Sequence, residues 1–143
     1  MRLFEELVML FVAMILAFML ALVFSSVIGV LRLVDVYESK LEKLRALELV
    51  MLDRNAEGLK SCTFTAGKIR MEYESGKSVT YELRYSPSTS DRAFYRVAKM
   101  PGLRPGYNMV YRNRDLVSVS SEASGSVIVL DIGGLRVAFT KLP

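Results

Sequence analysis

The sequence predicts an α+β chain, with a long N-terminal hydrophobic α-helix followed by a small antiparallel β-sheet or β-sandwich domain. Three observations carry this expectation. Residues 7–31 contain no charged side chain, and their only polar ones are Ser25 and Ser26. The residues after them keep a helical period to about position 54, with no proline anywhere in residues 1–86. From Cys62 onward the period falls from 3.6 to 2, and clusters of Gly, Pro and Ser separate the alternating segments.

The uncharged run of 25 residues, at about 1.5 Å per residue, is longer than the roughly 30 Å hydrocarbon core of a bilayer. A cleaved secretory signal has a basic start, a shorter apolar core and a small-residue cleavage site. Here Arg2 is opposed by Glu5 and Glu6, and Arg32 and Leu33 follow the run directly, so the helix reads as retained. Beyond Arg32, the residues Tyr37, Leu41, Leu44, Leu47 and Met51 recur at spacings of four, three, three and four. Glu38, Lys40, Glu42, Lys43, Arg45 and Glu48 lie mostly off that stripe, which is expected to pack against the β domain. Gly29 is the only glycine before Gly58, and Asn55 and Gly58 are suitable stop signals. One helix from about Leu3 to Arg54 follows, about 75 Å long if straight.

The β segment starts with a hairpin. Ile69, Met71 and Tyr73 alternate with polar residues, Glu74-Ser75-Gly76-Lys77 makes a turn, and Val79, Tyr81, Leu83 and Tyr85 alternate again. Residues 86–91 read as a loop and residues 92–97 as a strand. Pro101-Gly102 and Pro105-Gly106 punctuate a longer loop ending near Tyr107, and residues 116–120 form a short strand. The final hairpin pairs residues 126–132 with 135–142 through Gly133-Gly134. Val127, Ile128, Val129 and Leu130 are apolar on both faces, which places that strand centrally in its sheet. The expected organisation is 1–31 as a transmembrane or filament-core helix, 32–58 as its amphipathic continuation, and 59–143 as the globular β domain.

Composition narrows the chemistry. The net charge of +4 is not gathered into any run, so no nucleic-acid footprint is expected. There is no histidine, which removes the commonest general base and metal ligand and makes a serine triad impossible. Cys62 is the only cysteine, so no intrachain disulfide forms, and it reads as a small buried hydrophobe. Asp91, Asp115 and Asp131 are isolated, and the glycines match no phosphate loop. The chain is therefore expected to be no enzyme and to take no cofactor, metal or small-molecule substrate. Glutamine is absent and asparagine occurs only at positions 55, 108 and 113; with abundant Lys, Arg and Glu this points to a hot-environment source.

Glu5 resists a bland explanation. An ionised carboxylate at the mouth of an apolar helix is costly against lipid. One reading places Glu5 and Glu6 among headgroups, where they favour the helix N-terminal dipole. The other needs a neighbour: in a staggered bundle, Glu5 of one copy pairs with the α-amine of Met1 of the next and fixes the register, because any other stagger leaves a buried charge unpaired.

Residues 1–8, Met-Arg-Leu-Phe-Glu-Glu-Leu-Val, resemble the start of a mature type IV pilin or type II secretion pseudopilin. In that family a glutamate stands fifth and about twenty apolar residues follow. Leu3, Glu5, Leu7 and Val8 fit the pattern, and Val79, Thr80, Tyr81, Glu82 and Leu83 with Phe94, Tyr95 and Arg96 look like a strand pair of minor pseudopilins. Archaeal pilins share the helix-plus-β plan. Glu6 beside Glu5, the lack of a proline in the apolar half and the lack of a C-terminal cysteine pair depart from many members. The resemblance implies a filament subunit at the cell surface, anchored in the membrane before assembly. Its partners would be copies of itself or other pilin-like subunits, and its interface residues Met1, Glu5, Leu7, Leu10, Met14, Phe18 and Leu22. The rival expectation is a single-pass membrane protein, a sensor or assembly factor, that never polymerises. Arg32, Lys40, Lys43 and Arg45 after the apolar run favour it, since the positive-inside rule would hold the β domain in the cytoplasm.

Overall fold

The computed structural model describes residues 2–85, 92–112, 117–122 and 125–142. The fold is α+β: helix α1 (Arg2–Arg54) is followed by strands β1 (Leu59–Thr65), β2 (Lys68–Tyr73), β3 (Ser78–Tyr85), β4 (Arg92–Lys99), β5 (Gly106–Tyr111), β6 (Val117–Ser121), β7 (Val127–Ile132) and β8 (Leu135–Thr140). Contacts divide the chain into two compact units, Met1–Lys40 and Leu41–Pro143.

The first unit is helix, and its side chains are exposed along its described length. Ser26 is tolerated inside the apolar run because its hydroxyl donates to the Leu22 carbonyl one turn back at 3.0 Å, satisfying itself without water. Among the described residues, α1 is the one helix long and apolar enough to cross a membrane.

The second unit contains the last turns of α1 and two antiparallel sheets. The five-stranded sheet is a simple meander in the order β1-β2-β3-β4-β5, and the three-stranded sheet runs β6-β7-β8. The predicted hairpin is β2–β3, with Met71 opposite Val79 and Ile69 opposite Tyr81. Its turn closes through hydrogen bonds from Gly76 N to Tyr73 O and from Tyr73 N to Lys77 O, both 2.9 Å. The second predicted hairpin is β7–β8, with Ile132 opposite Leu135. Gly133 and Gly134 have φ of +57° and +87°, the conformation a two-residue turn of this hand requires. A side chain at Gly133 would also strike the Lys43 side chain, at 2.7 Å from its Cε and Nζ. The apolar strand β7 is central in its sheet, as its composition predicts.

Two strands depart from expectation. β1 has no counterpart in the predicted strand set, and β5 starts at the end of the predicted loop near Tyr107 and runs on through residues expected to form no strand. β1 presents Cys62 inward, but its other residues are half-exposed or exposed, so its alternation is weak. β5 is an edge strand whose first four residues are all exposed. It exists because β4 offers it a ladder, which no local pattern reveals. The two sheets are tied by the last residues: Cys62 N donates to Leu142 O at 3.0 Å and Leu142 N to Cys62 O at 3.1 Å. The loop expected over 86–91 and residue 116 of the short strand lie outside the described residues.

One hydrophobic core serves both sheets and the helix end. Val50, Ile69, Met71, Val79, Tyr81, Phe94, Ile128, Leu130 and Ile132 are fully buried in it. Tyr81 and Phe94 stack at 5.7 Å between centroids.

The helix stripe needs correction. Leu47 is buried and Met51 half-buried, but Leu44, Leu41 and Tyr37 are 52%, 49% and 61% exposed. The face that packs is Ala46, Leu47, Val50 and Asp53. The cause lies in the spacing. A helix turns about 100° per residue, so each step of three falls short of a full turn by about 60°. Two such steps in succession, Leu41 to Leu44 and then to Leu47, turn the stripe by about 120°, so Leu47 reaches the covered face while Leu41 and Leu44 stay off it. The pattern Tyr37–Met51 joins residues from two faces into one.

Candidate functional site

Two features of α1 bear on function: an apolar surface near its start and a polar clamp near its end.

The surface comes first in the chain. Leu7, Leu10, Met14, Phe18 and Leu22, the expected interface residues, are 62%, 71%, 59%, 66% and 53% exposed. Glu5 is exposed in the first turn, where a carboxylate favours the helix dipole. Met1, its expected partner in another copy, lies outside the described residues. Side chains on every side of α1 through residues 7–31 are exposed, so no face of this segment is covered by its own chain. An apolar surface of this extent is stable only against lipid or against other protein.

The clamp centres on Asp53, which is 7% exposed. Arg96 on β4 grips it in a two-pronged pair, Nε to Oδ2 at 2.6 Å and Nη2 to Oδ1 at 2.9 Å. Tyr81 on β3 donates its hydroxyl to Oδ2 at 2.6 Å, and the Tyr81 hydroxyl oxygen also lies 3.2 Å from the Leu49 carbonyl oxygen. Tyr81 and Arg96 sit directly opposite each other in the β3–β4 ladder, so a single cross-strand pair delivers both donors. Tyr73 on β2 donates to the Asp53 backbone carbonyl at 2.6 Å. That carbonyl is one of the last four in the helix and has no intrahelical donor, so Tyr73 acts as a cap supplied by the sheet.

Burial alone would push the Asp53 carboxyl pKa up, but the hydrogen bonds from Arg96 and Tyr81 outweigh it and hold the pKa below the ordinary 3.8. Burial and the Asp53 charge push Tyr73 up to about 12, and Tyr81 is raised by the same causes. Asp53 is then a carboxylate and both tyrosines are neutral donors at neutral pH. Such a group holds the helix end to the sheet. Nothing in the sequence marks Asp53: it is one acid among several on an exposed-looking helix end, and its partners lie 28 and 43 residues away.

Among the described residues no three His, Cys, Asp or Glu side chains stand close enough to hold a metal ion. Cys62 is buried, and burial raises its thiol pKa, a state of low reactivity. On the outer face of the five-stranded sheet, Glu82 is held by Lys68 at 2.6 Å and Arg84 at 3.3 Å. The shallow cavity there, about 690 Å³, is lined by Thr63, Thr80, Lys68 and Glu82 among others.

Compared with known protein families, curated proteins and solved structures, the chain finds no match. Fold and site together define the class: an α+β protein with one membrane-capable N-terminal helix, whose last turns are clamped to a small β domain.

Proposed function

We propose that this protein is a structural subunit of a type IV pilus-like cell-surface filament, polymerising through its hydrophobic N-terminal helix. The observation that carries the reading is residues 7–31: uncharged, apolar on every face, uncovered by their own chain and preceded by an acid at Glu5. In the membrane, lipid covers this surface before assembly; in a filament, the helices of other copies replace lipid. Six Leu and three Met stand in the run, and their flexible side chains fill irregular gaps between packed helices. The clamp at Asp53 supports the reading, because a subunit that transmits tension through its helix needs that helix fixed to the domain it carries. Pilin-like kinship rests on the resemblance of residues 1–8 and on this architecture.

Electron microscopy of material sheared from producing cells tests it. Filaments that bind an antibody raised against the β domain are expected. A second reading, a membrane-anchored β-domain protein that does not polymerise, draws on Arg32, Lys40, Lys43 and Arg45 beyond the run. A β domain protected from protease in intact cells, with no filaments on their surface, would establish it instead.

A further inference from the structure

The edge of a β-sheet presents a row of backbone N–H and C=O groups that water or another strand must satisfy. Among the described residues, the edge of β1 meets the end of the second sheet in the bridge between Cys62 and Leu142. The strands therefore run as one belt, with β5 at one end and β6 at the other. Each of these two is paired with a described strand on one side only. Exposed edges are usually blunted by charged side chains, by Lys above all, or by proline. Gly106–Tyr111 and Val117–Ser121 contain neither a charge nor a proline. Tyr107 and Met109 of β5 are 52% and 48% exposed, and stand opposite Val97 and Tyr95 on the outer face of the sheet.

Strand direction and charge decide what fits these edges. Every pairing along the belt is antiparallel, the Cys62–Leu142 bridge included, so β5 and β6 run in opposite directions. Two copies in the same orientation thus bring β6 of one antiparallel to β5 of the other. Pairing β5 with β5 in antiparallel fashion requires one copy to be inverted and, centred on Asn108, sets Arg104 opposite Arg112, a repulsion between exposed cations. We propose that β6 of a second copy of this chain adds to the edge of β5, antiparallel, with Met109 opposite Ser118 and Val110 opposite Val117. This register matches all five residues of β6 to residues 106–110. It keeps Val110, Val117 and Val119, which already touch the core, on the core side, and the exposed Ser118 beside the exposed Met109. A slip of one residue would turn the serines inward. The same register sets Glu122, just past β6, beside Arg104, just before β5; both are exposed. The contact uses a different edge on each copy, so it is head-to-tail. It goes beyond the filament reading and holds equally for membrane-anchored copies that form no filament.

Disulfide cross-linking of two differently tagged full-length chains, produced in the same cells, tests it. Cys62 is fully buried and stays out of the reaction. Met109→Cys in one chain with Ser118→Cys in the other is expected to give a product carrying both tags on mild oxidation. Tyr107→Cys with Ser120→Cys should do the same, and guards against one pair failing to fold. No product from either pair would overturn the proposal. A product from Met109→Cys chains alone, or from Met109→Cys with Tyr107→Cys, would mean that β5 meets β5 and overturn it as well. Arg104→Glu in the Met109→Cys chain should lower the yield several-fold, and Glu122→Lys in the Ser118→Cys chain should restore it. A yield indifferent to Arg104→Glu would overturn the register. Filaments on the cells without the cross-link would overturn this contact and leave the filament reading standing. The cross-link on cells without filaments would do the reverse.

Discussion

Asp53 joins the helix end to three strands, through Tyr73 on β2, Tyr81 on β3 and Arg96 on β4. Asp53→Ala would leave the Arg96 guanidinium, its side chain 15% exposed, facing a gap, and removing one partner of a buried pair costs on the order of 3–5 kcal/mol. Denaturant unfolding of the full chain in detergent, followed by tyrosine fluorescence, should show that loss. Replacing both partners together, Asp53→Leu with Arg96→Met, should cost much less, since no charge is then left unpaired. The same cluster sets the pH limits. Asp53 has a folded pKa below its ordinary 3.8, so its contribution is present above 3.8 and lost as pH falls through the lower folded value. Tyr73 has its folded pKa raised from 10.0 to about 12, so its contribution is whole below 10 and lost between 10 and about 12. A stability profile that declines at both ends, the upper limb weakened by Tyr73→Phe, is the expected result. Ala66 is a smaller case. It holds φ of +51° in the β1–β2 turn, a left-handed conformation costing an L-residue about 1–2 kcal/mol. Ala66→Gly should therefore raise the free energy of unfolding, by about 0.5–1 kcal/mol once glycine's extra chain entropy is deducted.

At the scale of elements, α1 has two faces near its end, and they should answer differently to substitution. Leu47→Ala empties a buried position and should cost about 2–5 kcal/mol. Leu44→Ala, on a half-exposed residue three positions earlier, should stay within about 0.5 kcal/mol. Equal losses at the two sites in the same unfolding assay would contradict the helix orientation. The extent of α1 was legible in the sequence almost to the residue, because an uncharged run joined to a periodic stretch without proline has one regular structure open to it. Its packing face was not, because periodicity reports that a side chain is apolar and not what covers it. The hairpins β2–β3 and β7–β8 were legible for a similar reason: alternation and a glycine turn are both local. β1 and β5 were not, since their ladders depend on neighbours the local pattern does not announce.

For the whole molecule, the filament reading predicts that Glu5→Ala impairs incorporation while the β domain stays folded, measured as filament yield in sheared fractions against circular dichroism of the purified chain. If the Glu5 carboxylate pairs with the α-amine of a neighbouring copy, its loss costs on the order of 3–5 kcal/mol per subunit contact. Glu6→Ala should do less, because the adjacent position points about 100° away around the helix. Unchanged yield from Glu5→Ala would remove the pairing.

The sequence by itself determined the class of the fold, the span of the helix, the two glycine-turned hairpins and the uncharged run on which the proposed function rests. Each follows from interactions within a few residues of chain: backbone periodicity, turn conformation and the cost of charge in an apolar setting. Only the tertiary structure decided which face of the helix end the sheets cover, that Asp53 meets Tyr73, Tyr81 and Arg96, and that Leu41 and Leu44 are left exposed. Those outcomes depend on which distant strand arrives at a given helix face, and side chains 20 to 43 residues apart carry no local record of their meeting.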